Sequence, residues 1–362
     1  MKSHTFLLFL PAFTHLFTAL FDLVETKRLR LEKFTYYGYN IDEGEVMNLS
    51  VRGKLVCFAL KRYVSLNPDK NSSAAKTIAG LDRRTAGRKI SSHLECISDV
   101  TANGTKYKRI SLRNSAPNGR AVYYLHGGAF VAGLNPFYLE LSSELIEANG
   151  GGEVVFLDYS TAPEHQYPTQ LEQAFDLWSE IVNVFGYEPQ NVVIGGDSAG
   201  GNLTLALMVK LRDENMAMPK GGFCISPWAD MTASGKSYFY NYKRDVLFGD
   251  RKKDANDELR KKLAQSDIFD YASKLSDEQR RDPLVSPVFA SYHGFPPMFF
   301  AVGSDEMLLC DTLKIAKKLK KANCCVTLEV GEGMFHIYAL FYRYLPEAKK
   351  SFKRLKEFLK EL

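Results

Sequence analysis

Gly196-Asp197-Ser198-Ala199-Gly200 sets a serine between two glycines, inside the glycine-rich turn at residues 195–201. An apolar, β-branched run (Asn191-Val192-Val193-Ile194) precedes it, and an apolar-periodic stretch (Asn202-Leu203-Thr204-Leu205-Ala206-Leu207-Met208) follows. The pattern predicts strand, sharp turn, helix, with the spacing of a nucleophile-bearing turn. Glycines on both sides tolerate a strained backbone and leave no side chain to collide with strand or helix. A hydroxyl held there is exposed at the end of a sheet and at a helix N-terminus, where developing negative charge is favoured.

Such a serine needs oxyanion donors, a base and an acid. Upstream, residues 120–125 read as a buried strand running into His126-Gly127-Gly128-Ala129-Phe130. Adjacent glycines free the N–H groups of Gly127 and Gly128 to face a ligand oxygen, and the N–H of Ala199 supplies a third donor. His126 lies on this loop, a position that suits a structural hydrogen bond better than a catalytic base. Downstream, a strand at residues 297–303 ends in Ser304-Asp305-Glu306-Met307. Asp305 stands nearest the C-terminal end of that strand, where ligand-facing residues of a parallel sheet lie; Glu306 and Asp311 are alternatives further on. The last strand, residues 325–330, leads into Gly331-Glu332-Gly333-Met334-Phe335-His336. His336 is the histidine on a loop after the sheet, following a strand-end acid. Ser198, Asp305 and His336 therefore form the expected nucleophile, orienting acid and general base.

Alternating elements position these groups. Helical patterns at residues 137–149 and 169–185 alternate with strands at 153–158, 191–194 and 222–228, and a basic amphipathic helix spans 311–323. Strands and helices in this alternation imply a mostly parallel α/β sheet covered on both faces. Residues 107–112 alternate like an edge strand. From about residue 229 to 282 the composition becomes charged and aromatic, with Tyr238, Phe239, Tyr240, Tyr242, Phe248, Phe269 and Tyr271. Its run Asp250-Arg251-Lys252-Lys253-Asp254 reads as a solvated helix face. The functional reading of the insertion is a lid whose aromatics meet substrate.

The chain has 362 residues, 45% hydrophobic and 25% charged, ample for one large α/β core with insertions. A net charge of +5 without a dense basic stripe excludes nucleic acid as partner. Cys57, Cys96, Cys224, Cys310, Cys324 and Cys325 show neither Cys-x-x-Cys spacing nor clustered histidines, so free thiols in a reducing compartment are expected, not a zinc site or disulfide framework. The serine chemistry requires no cofactor and no metal. Residues 3–21 carry no Asp, Glu, Lys or Arg, and a basic stretch, Lys27-Arg28-Leu29-Arg30-Leu31-Glu32-Lys33, follows. The apolar run at 6–21 is short for a membrane span and interrupted by Pro11 and His15. It reads either as an amphipathic cap helix over an apolar site or as a membrane anchor or interfacial helix. Localisation is accordingly cytoplasmic, or membrane-associated through residues 1–25. The expected organisation is a helical, cap-like region over residues 1–90 and a catalytic domain over residues 91–362, with a cap insertion at about 229–282.

From about residue 120 to 341 the sequence resembles the hormone-sensitive-lipase family of α/β hydrolases, especially its acetyl-esterase-like members. The matching residues are His126-Gly127-Gly128-Ala129-Phe130, Asp158-Tyr159 with Ala162-Pro163-Glu164, Gly196-Asp197-Ser198-Ala199-Gly200-Gly201, Asp282-Pro283, Gly303-Ser304-Asp305-Glu306 and Gly333-Met334-Phe335-His336. Ser226-Pro227-Trp228 and Ser286-Pro287 add to the match. The order serine, acid, histidine is that of the α/β hydrolases. The resemblance implies an esterase acting on a small-molecule ester of short to medium acyl chain through an acyl-enzyme. It also implies a cap built from the N-terminal region and the insertion. Ala129 stands where a third glycine is frequent, and Ser160-Thr161 where Arg-Leu is usual. The alternatives on the same residues are a lipase, an amide deacetylase, or a non-catalytic small-ligand receptor on this fold. The receptor reading is opposed by His336. A homodimer and a membrane-surface contact through the N-terminal apolar segment are compatible with this reading.

Overall fold

A computed structural model of the chain describes residues 34–36, 39–41, 46–47, 49–57, 91–115, 118–249 and 271–362. The N-terminal apolar segment, the basic stretch after it, the charge run at 250–254 and Phe269 lie outside the described residues.

A nine-stranded sheet organises the chain, in the order β3-β11-β10-β9-β8-β6-β7-β5-β4. Its strands are β3 (Val46–Met47), β4 (Leu94–Val100), β5 (Lys106–Leu112), β6 (Ala121–Leu125), β7 (Glu153–Leu157), β8 (Val192–Asp197), β9 (Gly221–Ile225), β10 (Met298–Gly303) and β11 (Val326–Gly331). A separate hairpin pairs β1 (Phe34–Tyr36) with β2 (Tyr39–Ile41). All neighbours in the large sheet are parallel except at β5, which runs antiparallel to both β7 and β4.

The period-2 alternation of the strands feeds two cores. Tyr123, Leu125, Ile194, Phe300 and Val302 pack on one face, with α2 (Thr169–Asn183), α3 (Ala199–Asp213) and α4 (Leu309–Lys321). Val122, Tyr124, Val193, Phe299 and Ala301 pack on the other, against α1 (Pro136–Ala148) and α5 (Pro346–Glu361). Helix α2 turns Leu171, Ala174, Leu177, Trp178 and Ile181 inward, an i, i+3, i+7 stripe. Each fully buried side chain of this size contributes roughly 1.5–3 kcal/mol relative to exposure. Two expectations change. Residues 106–112 are interior to the sheet, because β4 covers them on the outside. The region before residue 90 is not wholly helical: β3 joins the large sheet beside β11, and residues 51–57 form a helix.

The order reverses between β6 and β8: from β6 the chain moves outward to β7, then returns to place β8 on the other side. At such a switch point the loops after the two strands diverge and leave a crevice at their C-terminal ends. The loop 126–130 and Ser198 flank that crevice.

Candidate active site

Ser198 follows the last residue of β8 and immediately precedes α3. Its φ is 52° and ψ −117°, so the strain of the turn falls on the serine itself rather than on its glycines. The backbone is pinned on both sides: Ser198 N–H donates to the Ile225 carbonyl (2.9 Å), and its carbonyl accepts from Trp228 N–H (3.0 Å). Glycine at position 200 is required for close approach, since a Cβ there would lie 1.9 Å from the Leu125 carbonyl oxygen. Although Ser198 occupies the N-cap position of α3, its hydroxyl makes no cap hydrogen bond. It points instead to His336, with Oγ 2.9 Å from Nε2.

His336 lies on the loop after β11 and is 3% exposed. Its Nδ1 is 2.8 Å from Glu306 Oε2. A carboxylate acceptor there fixes the proton on Nδ1 and leaves Nε2 free to accept from Ser198. Glu306 is wholly buried and held from the other side by Ser226 Oγ–H (2.7 Å) and by the N–H of Gly303. Ser226 hydroxyl also accepts from Ile337 N–H (3.0 Å), so one side chain braces both the acid and the histidine loop.

The acid is therefore Glu306 in this geometry, and the assignment to Asp305 is corrected. The chain turns at residues 304–305 as it leaves β10, leaving Asp305 half-buried with its N–H on the Met334 carbonyl (3.2 Å). Glu306, one residue later and one methylene longer, folds back to its own strand end at Gly303 and so reaches His336. Asp311 is engaged elsewhere, accepting from Ala229 and Asp230 N–H and from the Tyr238 hydroxyl (3.0 Å each).

The loop after β6 needs a second revision. Gly127 N–H points inward, to Asp197 Oδ1 and Tyr138 Oη (3.1 Å each), and is not a free donor. A Cβ at Gly127 would meet Asp197 Oδ2 at 2.2 Å, which explains the glycine by packing instead. Gly128, Ala129 and Phe130 then take positive φ in succession (116°, 56° and 62°). Successive left-handed residues turn neighbouring N–H groups toward one concavity. Among the described residues the N–H groups of Gly128 and Ala129 donate to no protein acceptor, and Ala199 N–H opens α3 with no intrahelical partner. Gly128, Ala129 and Ala199 are thus the donors available to an oxyanion.

His126 is structural, as its position suggested. Nδ1–H donates to the Gly127 carbonyl (2.7 Å), and its ring stacks on Tyr159 at 4.1 Å. Burial lowers its pKa to about 4, keeping it neutral. Asp197 was not singled out from sequence, although it sits inside the turn motif. Its carboxylate accepts from Tyr124 (2.9 Å), Tyr138 (3.0 Å) and Gly127 N–H, linking the serine turn to the oxyanion loop. Burial pushes its carboxyl up to about 6 against the opposing effect of those donors. From the insertion, Phe248 sets its ring edge-on to His336 (4.9 Å between centroids), and Tyr271 stacks on Phe130 (3.6 Å).

A mostly parallel sheet with a serine elbow at its switch point, and an acid and a histidine on later strand ends, defines an α/β hydrolase. The chain belongs to that family: the α/β-hydrolase-fold family model matches residues 122–340. An esterase of Acinetobacter venetianus is 32% identical over 266 residues, covering 74% of this chain and 82% of the relative. An acetyl-hydrolase of Streptomyces hygroscopicus is 32% identical over 250 residues, covering 69% and 78%. Among solved structures, an esterase of the bacterial hormone-sensitive lipase family superposes with TM-score 0.70 at 28% identity, covering 87% of this chain and 99% of that one. EstE5, in a crystal soaked with p-nitrophenyl butyrate, gives TM-score 0.70 at 30% identity, covering 84% and 97%. The resemblance to the hormone-sensitive-lipase branch is borne out.

Proposed function

We propose that this chain hydrolyses carboxylic esters of short to medium acyl chains through an acyl-enzyme on Ser198. The observation that carries the mechanism is the continuous relay Ser198 Oγ–His336 Nε2 (2.9 Å) and His336 Nδ1–Glu306 Oε2 (2.8 Å). Nε2 takes the hydroxyl proton as Oγ attacks the ester carbonyl carbon, and Glu306 stabilises the resulting imidazolium. The carbonyl oxygen becomes an oxyanion facing the N–H groups of Gly128, Ala129 and Ala199. Each such donor typically contributes a factor of about 10²–10³. Collapse expels the alkoxide, which leaves as alcohol with the proton from Nε2. Water then attacks the acyl-enzyme, its proton passing to His336, and the carboxylic acid is released as Ser198 is regenerated. The relatives' names, esterase and acetyl-hydrolase, support the ester class. The butyrate ester soaked into the EstE5 crystal supports the chain length.

The described part of the insertion reaches the site through Phe248 and Tyr271, which supports its role as part of a cap. Among the described residues no helix is long and apolar enough to cross a membrane. A membrane-surface contact would be carried by residues 6–21, and vesicle co-sedimentation with and without residues 1–25 tests it. The test of the main reading is hydrolysis of p-nitrophenyl esters across acyl lengths, with Ser198→Ala and His336→Ala alongside. Loss of kcat by several orders of magnitude in both variants is expected. A wild type inert on every ester sinks the reading.

A further inference from the structure

The segment after β9 does more than cover the site: it grips the backbone from which the acid projects. Three residues spaced four apart do this. Ser237 Oγ–H donates to the Met307 carbonyl (2.5 Å). The Asn241 side-chain amide donates to the carbonyls of both Ser304 and Glu306 (2.8 Å each). Asp245 Oδ2 accepts from Met307 N–H (2.8 Å), while its Oδ1 accepts from the N–H groups of Leu247 and Phe248 (2.9 and 3.0 Å). Ser237, Asn241 and Asp245 are all buried. Asp245 thus ties two things at once: the backbone next to Glu306, and the turn that presents Phe248 to the His336 ring.

A bond from a loop to its own helix or strand would be ordinary. Here a separate stretch of chain binds four backbone groups on three residues around one carboxylate, Ser304, Glu306 and Met307, and its end packs on the histidine paired with that carboxylate. We infer that Asn241 and Asp245 are positioning residues for the Glu306–His336 pair, so that the insertion sets the geometry of catalysis as well as covering it. The inference rests on the assignment of Ser198, His336 and Glu306 as the triad.

The test uses the full chain with Asn241→Leu, which removes both amide donors at similar volume, and Asp245→Asn, which costs one acceptor. Two readouts separate positioning from mere support of the fold. The first is the far-downfield proton resonance of His336 Nδ1–H, identified by its disappearance in Glu306→Gln and read without substrate. It is expected to shift or broaden in both variants while their unfolding stays cooperative; an unchanged resonance overturns the inference. The second is kinetic: kcat is expected to fall roughly 10- to 100-fold with KM nearly unchanged, as for small misplacements of a catalytic group. In a Glu306→Gln background the same substitutions should cost little more, because the group they position is gone. Equal losses in both backgrounds assign Asn241 and Asp245 to general stability and overturn the inference. If Asn241→Leu does not fold, the isosteric Asp245→Asn carries both readouts. A protein inert on esters whose resonance nevertheless shifts in the variants refutes the ester reading alone.

Discussion

Glu306 reaches His336 because its extra methylene lets the side chain fold back to Gly303 N–H and Ser226 before presenting Oε2 to the ring. The aspartate one position earlier lies in the turn at residues 304–305, and the carboxylate bonded to His336 Nδ1 is that of the next residue. The two carboxylates can be told apart by neutralising each. Glu306→Gln should lower kcat by about 10³–10⁴, because the amide can hold the wrong tautomer or orientation of His336 and cannot stabilise its cation. Asp305→Asn should stay within roughly threefold of wild type, because the carboxylate bonded to His336 is that of Glu306. Steady-state kinetics on one p-nitrophenyl ester decides it; comparable losses from both would return Asp305 to the triad. The role of Asp197 emerged only in the folded chain. Its carboxylate is invisible as a clamp until β6 and β8 lie side by side and bring Tyr124 and Gly127 to it.

The loop after β6 is built around one inward and two free N–H groups, and its substitutions should rank accordingly. Gly127→Ala drives a Cβ to 2.2 Å from Asp197 Oδ2, which must break the clamp between the loop and the serine turn. It should reduce kcat/KM by at least about 10² and destabilise the fold by roughly 1–3 kcal/mol, the usual range for overpacking. Ala129→Gly should be nearly silent: at φ 56° glycine relieves strain that about offsets its larger unfolded-state entropy. Urea unfolding with parallel kinetics checks the ranking, and a tolerant Gly127→Ala would mean that Gly127 N–H is not held by Asp197. At this scale much was legible in the sequence. The parallel strands β6 to β11 and helices α1 to α4 were readable to within a few residues because each carries an unbroken apolar run or a 3.6-residue stripe. Ser198 and His336 followed from strand ends. What was not legible has a physical reason. Strand β4 has only Leu94 buried, so it shows no alternation, and two-residue β3 is too short to show any. Whether Asp305 or Glu306 faces His336 depends on one turn's rotation, which spacing does not encode. The same holds for Gly127, whose N–H direction is set by Asp197 and Tyr138 from other elements.

The molecule as a whole concentrates buried carboxyls around the C-terminal ends of its strands, and this makes its stability depend on pH. Burial raises the carboxyls of Asp197 and Asp245, and raises that of Asp311 well above the ordinary range. A carboxyl whose folded pKa exceeds its unfolded one binds its proton more tightly in the native state. Its contribution to stability is therefore complete below the unfolded pKa and is lost as pH rises through the folded value. For Asp197 that window runs from 3.8 to about 6, and the corresponding loss is about 3 kcal/mol at 1.36 kcal/mol per unit. Asp176, held low by hydrogen bonds from Thr101, Thr105 and Asn103 despite partial burial, acts with the opposite sign but below 3.8. Asp197→Asn isolates one share of this effect, since an amide keeps the side-chain volume and cannot ionise. Relative to wild type, the variant should gain about 3 kcal/mol of unfolding free energy between about pH 4 and about pH 7. Denaturant titrations of both proteins at the two pH values measure it. A difference that does not change with pH would show that Asp197 ionises in the fold as readily as in the unfolded chain, and that donors from Tyr124, Tyr138 and Gly127 fully offset its burial.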